Sequence, residues 1–223
     1  MSILSRERNA ESGVFGGCPG TYMRGIQPLM YVPRLQGTGM SLPQKKHKYT
    51  YADYCSWDDG ERWELIDGVP YAMSPAPVRK HQDISGALFN QLYNFLENRH
   101  CKVYHAPFDV RLNADEEDDT VCQPDLVVVC DSSKLDEKGC KGAPDLVIEI
   151  LSSSSLRMDR VIKLEKYRQA GVREYWIVDP ETCSVEACVL DGERYYLTGY
   201  IDEAPVNVLP GCVIDLKKVF PAD

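Results

Sequence analysis

The chain lacks any Cys-x-x-Cys pair, although it contains nine cysteines. Zinc fingers and zinc ribbons are built from cysteines at that spacing, so a zinc site of the usual kind is not predicted. The number of cysteines is odd and their spacing is scattered, which suits a protein of the reducing cytoplasm. Cys122 and Cys130 lie in or beside apolar runs, and we interpret them as small core residues.

Long apolar runs are also missing. No run approaches the roughly 20 residues of a membrane-spanning helix, and residues 1–13 (MSILSRERNAESG) lack the apolar stretch of a signal peptide. The 223 residues are 43% hydrophobic and 26% charged, which is typical of a globular domain with a full core. We therefore expect a cytoplasmic location and no membrane partner.

Basic residues are few, with 25 Lys and Arg against 34 Asp and Glu, for a net charge of −9. Residues 1–39 contain four Arg and two Glu, so the rest of the chain carries −11. Nucleic-acid-binding domains are usually basic, so any DNA contact would need a local basic patch. The acidic run Asp115–Asp119 is interpreted as a solvated loop tip.

Residues 1–39 show no sustained helical or strand period and contain several Gly and Pro residues. We predict a mobile N-terminal extension there. Met40 precedes the patterned part of the chain, and one hypothesis is that translation begins at this residue. Residues 40–223 are then expected to form a single domain.

Two short apolar runs that each begin at Pro-Asp organise residues 121–180. They start at Asp125 (DLVVV) and Asp145 (DLVIEIL), and their β-branched residues predict two strands. Glu149 interrupts the second run and shares a strand face with Asp145 and Leu151. A carboxylate buried there is costly unless it is paired, protonated or bound to a metal. Glu149 is therefore either a functional group or a residue paired with a core cation or placed at an exposed sheet edge.

A helix is predicted from Leu156 to Ala170, between four serines that offer N-cap hydroxyls and Gly171, which suits a left-handed C-cap. On this helix Lys163 falls on one face with Leu156 and Tyr167. From spacing alone, Lys163 is interpreted as a surface lysine whose stem covers the core.

The N-terminal half contains two further candidate residues. Glu64 lies in the first arm of a predicted hairpin (61–66 and 69–73) that follows a short helix capped by Thr50. Strand period alone expects Glu64 to face solvent. His81 precedes a helix with an apolar stripe and is not stabilised as a cation there. It is either a neutral site-lining residue or a capping or surface residue.

The remaining segments carry weaker signals. They are strands within 102–112 broken at Pro107, a charged connector at 134–141, a strand at 173–178, a hairpin at 184–189 and 194–197, and a closing helix or turn at 213–220. His105 and Asp109 are expected to be structural or edge residues.

The order of these motifs resembles that of the PD-(D/E)XK nucleases. The motif sequences themselves resemble the Uma-two family of restriction-endonuclease-like proteins. From about Tyr49 to Phe220 the matching phrases are TYADY, ERWELIDGVPYAMSPAP, KHQDIS, QPDLVVVC, KGAPDLVIEILS and DRVIKLEKYRQAGVREYWIVDP. The plain motif places Lys two residues after the acid, where this chain has Leu151. In the family the Lys comes from the following helix, and the matching position is Lys163.

The resemblance implies an α/β fold with a restriction-endonuclease-like mixed sheet, flanking helices and added N-terminal and C-terminal hairpins. It also implies a metal-dependent endonuclease that hydrolyses phosphodiester bonds in DNA. The metal, Mg²⁺ or Mn²⁺, would be held by Asp125, Glu149 and the backbone carbonyl of Ile150. Lys163 would lower the pKa of the attacking water or stabilise the transition state.

Three other residues receive roles from the resemblance. Glu64 is a weaker third metal ligand, His81 orients water or phosphate, and Asp145 is a strand-entry residue. Nucleases that cleave both strands of DNA usually have two active sites, so we expect a homodimer. The alternative is a catalytically degenerate nuclease fold that binds nucleic acid or protein, an interpretation supported by the acidic core and the missing local Lys.

Overall fold

The computed structural model describes residues 47–73, 77–113, 118–152 and 155–220. The predicted N-terminal extension 1–39, the start at Met40 and Asp115–Glu117 of the acidic run lie outside these ranges. Four α-helices are present in the described part of the chain: α1 (Tyr51–Tyr54), α2 (Arg79–Leu96), α3 (Leu164–Ala170) and α4 (Leu216–Val219). None of the described helices is long and apolar enough to cross a membrane.

Fourteen strands connect these helices within the described ranges. They are β1 (Trp63–Ile66), β2 (Val69–Ala72), β3 (Lys102–His105), β4 (Asp109–Arg111), β5 (Val121–Cys122), β6 (Leu126–Val129), β7 (Leu135–Asp136), β8 (Gly139–Lys141), β9 (Leu146–Ile150), β10 (Glu174–Asp179), β11 (Ser184–Asp191), β12 (Arg194–Tyr200), β13 (Glu203–Pro205) and β14 (Val213–Asp215).

The strands form two six-stranded mixed sheets and one short pair. The central sheet has the order β12-β11-β10-β9-β6-β3, and the second sheet has the order β2-β1-β5-β4-β8-β7. Strands β9 and β10 are parallel, as are β4 and β8. Each sheet also contains antiparallel pairs. The predicted mixed α/β fold is confirmed, with the N-terminal hairpin in the second sheet and the C-terminal hairpin in the central one.

The central sheet is covered on both faces. Leu146 and Ile148 of β9 pack in one cluster with Leu88 of α2 and with residues around α4. Val147, the residue between them, packs in the other cluster with Tyr167 of α3 and with the second sheet. Because the sheet is sandwiched, a polar side chain on either face is buried, and it must find partners within the protein.

Local sequence explains the ends of the helices. Thr50 and Asp53 form a capping box at the start of α1, with the Asp53 N–H donating to the Thr50 hydroxyl at 3.4 Å. Gly171 ends α3 in the left-handed conformation, at φ 86° and ψ 27°. The predicted break at Pro107 separates β3 from β4.

Two expectations differ from the structure. The charged connector at 134–141 contains the hairpin β7–β8, which extends the second sheet. Its strands are two and three residues long, too short to carry a period. Cys122 is buried in the core as expected, whereas Cys130 forms a disulfide with Cys101, which immediately precedes the neighbouring strand β3.

Candidate active site

Asp125 and Glu149 face each other across two neighbouring strands. The antiparallel register pairs Leu126 of β6 with Ile148 of β9. Asp125, which precedes Leu126, therefore lies opposite Glu149, which follows Ile148. The Ile150 N–H donates to Oδ2 of Asp125 at 2.8 Å. The two carboxylates that the sequence singled out are therefore brought to one edge of the central sheet.

Glu149 projects from β9 towards the second sheet and is 4% exposed. Its Oε1 atom accepts hydrogen bonds from Lys163 Nζ and from the Tyr167 hydroxyl, both at 2.9 Å. The face predicted for Glu149 by strand alternation is the buried face that meets α3. Lys163 is buried with it, so the interpretation of Lys163 as a surface lysine is wrong.

Glu64 reaches the same cluster from the second sheet. Its Oε1 atom lies 2.8 Å from Lys163 Nζ and accepts the Gln123 N–H at 2.9 Å. Glu64 is 5% exposed, so the solvent-facing position expected from period alone is wrong. Strand β1 is covered on both faces, and alternation cannot separate inside from outside in such a strand.

Asp159 is a fourth carboxylate of the cluster, and sequence reasoning missed it. It is 2% exposed, and its Oδ1 atom lies 3.6 Å from Lys163 Nζ. The Tyr175 hydroxyl donates to the Asp159 carbonyl oxygen at 3.1 Å. The available signal was the spacing of four residues between Asp159 and Lys163, which places an acid beside a lysine on a helix.

A π-helical segment, Met158–Lys163, runs directly into α3. Its wider turns change the spacing that an ordinary helix would give, and such segments are frequent at functional sites. Leu156, which the sequence placed on the buried face with Lys163, is 50% exposed. Asp159 takes its place on the face that carries Lys163 and Tyr167.

His81 lies in the first turn of α2 and extends the cluster beyond Asp125. Its Nε2 atom donates to Oδ2 of Asp125 at 3.2 Å. The other ring nitrogen, Nδ1, is buried and has no hydrogen-bond partner among the described residues. His81 therefore lines the site, which is one of the two alternatives left open by the sequence. The expected neutral state differs from the structure, because, against the effect of burial, Asp125 raises the pKa of His81.

Burial and mutual repulsion raise the pKa of two carboxyl groups. Burial raises the pKa of Glu149 well above its usual value; Lys163 opposes this, and Asp159, Asp125 and Glu64 reinforce it. Burial likewise raises the pKa of Asp159, against the effect of Lys163. Burial alone would lower the pKa of Lys163, but Glu149, Glu64 and Asp159 outweigh it and hold the pKa well above the usual value.

Comparison with known proteins shows the family of the chain. Residues 50–217 match the model of the Uma2 family, described as "Putative restriction endonuclease". The chain belongs to the Uma2 family. An uncharacterized protein of Synechocystis sp. is 26% identical over 142 residues, which cover 62% of this chain and 73% of that protein.

A solved structure confirms the fold of this Uma2 family member. It is the crystal structure of "a putative nuclease belonging to DUF820" from Anabaena variabilis. The two structures superimpose with a TM-score of 0.62 at 18% sequence identity, over 77% of this chain and 97% of the Anabaena chain. At that level of identity the likeness extends to the fold and not to the individual site residues.

Asp145 stands outside the cluster although it repeats the Pro-Asp start. Its Oδ2 atom accepts the Cys130 N–H at 2.7 Å, and its Oδ1 atom lies 2.8 Å from Nη1 of Arg173. These contacts are at the opposite end of β9 from Glu149. Asp145 is thus the strand-entry residue that the family resemblance implied.

The cluster carries more negative than positive charge. Glu64, Glu149 and Asp159 surround one buried lysine, and Asp125 contacts His81 at the edge of the group. Within the described residues, hydrogen bonds to Asp125 fall on Oδ2 and those to Glu149 fall on Oε1. The second oxygen of each carboxylate remains for another ligand, and hard oxygen donors of this kind suit Mg²⁺ or Mn²⁺.

A cleft of about 870 Å³ opens over these carboxylates. Arg62 and Lys80 line it together with the acidic residues. The side chain of Arg62 is held by Oε1 of Gln123, at 2.7 Å from Nη2, and the Gln123 N–H bonds Glu64. The cleft thus joins a set of oxygen ligands to cationic side chains at one opening.

Proposed function

We propose that this protein is a metal-dependent endonuclease that hydrolyses phosphodiester bonds in DNA. The observation that carries the proposal is the excess of buried carboxylates over cations around Lys163. Buried charges of one sign are costly unless a counter-ion compensates them. A divalent cation would compensate them and, when bound, would supply Lewis-acid chemistry at the scissile phosphate.

The metal ligands we propose are Asp125, Glu149 and the backbone carbonyl of Ile150. All three residues line the cleft, and Asp125 and Glu149 each have one carboxylate oxygen without a protein hydrogen bond among the described residues. Oxygen ligands on two adjacent strands form a rigid base for Mg²⁺ or Mn²⁺. Glu64 is the weaker third carboxylate, because it lies on β1 of the second sheet and not on the adjacent strands that hold Asp125 and Glu149.

Lys163 is the cation we assign to transition-state stabilisation. Its raised pKa keeps the ammonium charged at neutral pH, and a fixed positive charge favours the negative charge that develops on the phosphoryl oxygens. Tyr167 helps to position Glu149 through its hydroxyl. His81, in contact with Asp125, is placed to orient water or phosphate at the mouth of the cleft.

DNA is the substrate we propose, and Arg62 and Lys80 at the cleft are the described side chains suited to its phosphates. The homodimer and the cytoplasmic location remain proposals that rest on the nuclease assignment and on the composition of the chain. Both are checked independently of cleavage, by sedimentation and by fractionation of cells.

A second function has one observation in its favour. Lys163 Nζ already lies between Glu64 and Glu149, at 2.8 Å and 2.9 Å, and so satisfies two carboxylates without a metal. A nuclease fold stabilised in this way would bind nucleic acid or a protein without cleaving it. The two functions differ in whether a divalent cation binds the cluster.

The deciding experiment compares cleavage of supercoiled plasmid and of single-stranded DNA in Mg²⁺ or Mn²⁺. The variants are Glu149→Gln and Asp125→Asn, with Asp145→Asn as the matched control, because Asp145 begins the second Pro-Asp strand outside the cluster. Circular dichroism and thermal unfolding verify that each variant is folded.

The proposal predicts metal-dependent cutting by the wild type and by Asp145→Asn, and its loss in the other two variants. Cutting that survives Glu149→Gln would move the active site elsewhere. If the wild type neither cuts nor gains thermal stability from Mn²⁺, the binding function is favoured, since a ligand that binds only the folded state must raise its stability.

A further inference from the structure

Three potential soft-metal ligands meet at the end of the central sheet away from the carboxylate cluster. The register that pairs Lys102 with Val129 continues to Cys101 and Cys130, and these two cysteines form a disulfide. Nε2 of the exposed residue His100 lies 3.4 Å from Sγ of Cys101. The Nε2 atom and the two Sγ atoms all lie within 4.8 Å of one another.

This cluster borders a cavity and is held on a rigid frame. The cavity measures about 360 Å³ and is lined by His100, Cys101 and Cys130, together with Arg99 and Arg173. The Cys130 N–H donates to Asp145, which also pairs with Arg173, so the end of β6 is fixed.

We propose that the reduced protein binds Zn²⁺, or another thiophilic divalent transition metal, through His100, Cys101 and Cys130. Two thiolates and an imidazole are the ligand types that Zn²⁺ prefers, at about 2.0–2.3 Å. The fourth tetrahedral position would face the cavity and hold water. The sequence hides this site, because Cys101 and Cys130 are brought together at the ends of the paired strands β3 and β6 and not in a Cys-x-x-Cys turn.

The disulfide and the metal exclude each other, so the site depends on reduction. With a water-soluble trialkylphosphine and one water, the S–S bond breaks and two thiols form. Phosphorus is oxidised to the phosphine oxide, and the two protons of the water go to the sulfurs. In a reducing compartment the thiol form is expected, and deprotonation of both thiols accompanies metal binding.

The site is separate from the proposed nuclease centre. Cys130 follows Asp125 by five residues along an extended strand, which corresponds to about 17 Å. Metal bound by the thiolates should therefore be insensitive to Glu149→Gln, and a failure of one site leaves the other untouched.

Co²⁺ titration of the phosphine-reduced full chain tests the proposal, since cobalt bound by thiolates shows a near-ultraviolet charge-transfer absorption that carboxylate ligands do not give. A thiol count confirms the reduction, and competition with Zn²⁺ gives the affinity. The variants are Cys101→Ser, Cys130→Ser and His100→Ala, with Cys55→Ser as the control because Cys55 is an exposed free cysteine away from the cluster.

We expect a single Co²⁺ with thiolate absorption in the reduced wild type, in Cys55→Ser and in Glu149→Gln, and none in the oxidised protein. Each cluster cysteine variant should lose the absorption, and His100→Ala should weaken binding by about tenfold or more. Absence of the absorption in reduced, folded wild type overturns the site. Retention in Cys101→Ser or Cys130→Ser overturns it too, as does unchanged affinity in His100→Ala, whose exposed position leaves folding intact.

Discussion

The ammonium group of Lys163 lies 2.8 Å from Oε1 of Glu64, which joins the helix above the central sheet to the first strand of the second sheet. The contact is buried, with both side chains less than one tenth exposed. Since Glu149 shares the same ammonium group, one lysine compensates carboxylates from both sheets. The energetic consequences of this sharing can be measured.

Lys163→Met should destabilise the protein by about 3–5 kcal/mol at about pH 8, because it leaves uncompensated carboxylates in the core. The loss should be smaller at about pH 5, where Glu149 and Asp159, whose pKa values burial raises, can take up protons. Guanidinium denaturation at the two pH values measures the difference.

Lys166→Met is the matched control for this change. Lys166 lies on the same helix and pairs at 2.7 Å with Asp67, whose side chain is 54% exposed. An exposed pair contributes about 1 kcal/mol or less. Equal losses in the two variants would contradict the role of Lys163 as the shared counter-ion.

Stabilisation by Mn²⁺ should increase with pH. The folded-state pKa of Glu149 lies above its unfolded value of about 4.5, so the metal-free protein loses stability as pH rises from that value through the folded pKa. A bound cation needs ionised ligands, and its binding offsets the loss of folding stability that the ionisation of Glu149 causes. The rise in Tm on adding Mn²⁺ should thus be larger at about pH 8 than at about pH 5.5.

Glu149→Gln should abolish most of this pH dependence, whereas Asp145→Asn should retain it. A metal effect that is equal at both pH values in the wild type would indicate binding to groups other than these carboxyls. Differential scanning fluorimetry provides all the melting temperatures required.

Tyr167→Phe removes the hydroxyl that donates to Oε1 of Glu149 at 2.9 Å. A hydrogen bond to an ionised group favours the ionised form, so the pH midpoint of Mn²⁺ stabilisation should move upwards. Cleavage should fall by roughly tenfold, which corresponds to about 1.4 kcal/mol. A purely structural role would lower stability but leave that pH midpoint in place; Tyr195→Phe, which removes a hydroxyl bonded to the Val172 carbonyl, serves for comparison.

His81→Gln should lower stability by about 1 kcal/mol at about pH 6 and have little effect at about pH 9. Burial opposes a raised pKa for His81, but contact with Asp125 overcomes it. A raised folded pKa contributes stability below the unfolded pKa and loses it as pH rises through the folded one. His105→Gln is the control, because His105 is exposed and its ring packs at a tilt against Phe89. Similar losses at both pH values would indicate that the imidazolium is not involved.

Strand period was enough to predict where Asp125 and Glu149 lie. The β-branched runs fix both strands, and alternation puts Glu149 on the face opposite Ile148. The burial of Glu64 could not be predicted in this way, because it depends on the second sheet covering β1. The assignment of Lys163 to the site depends on the resemblance to the family motifs, because its spacing alone predicts a surface lysine.

Other features depend on geometry that a linear pattern does not contain. Asp159 reaches the site through π-helical turns, whereas the helix predicted from the sequence has a constant period. The Cys101–Cys130 disulfide depends on the register of two strands, and register is decided by packing as well as by local sequence. The spacing of four residues to Lys163 is the one sequence signal for Asp159, and the disulfide has no such signal.

Lys163 connects the two sheets and also belongs to the proposed catalytic centre. Selection for activity and selection for foldability therefore act on the same position, and a random-mutagenesis screen would score substitutions of Lys163 as folding defects even where chemistry is what they remove. A library that varies Tyr167, His81 and Arg62 while holding Lys163 constant would let the chemistry diversify on an assembled scaffold.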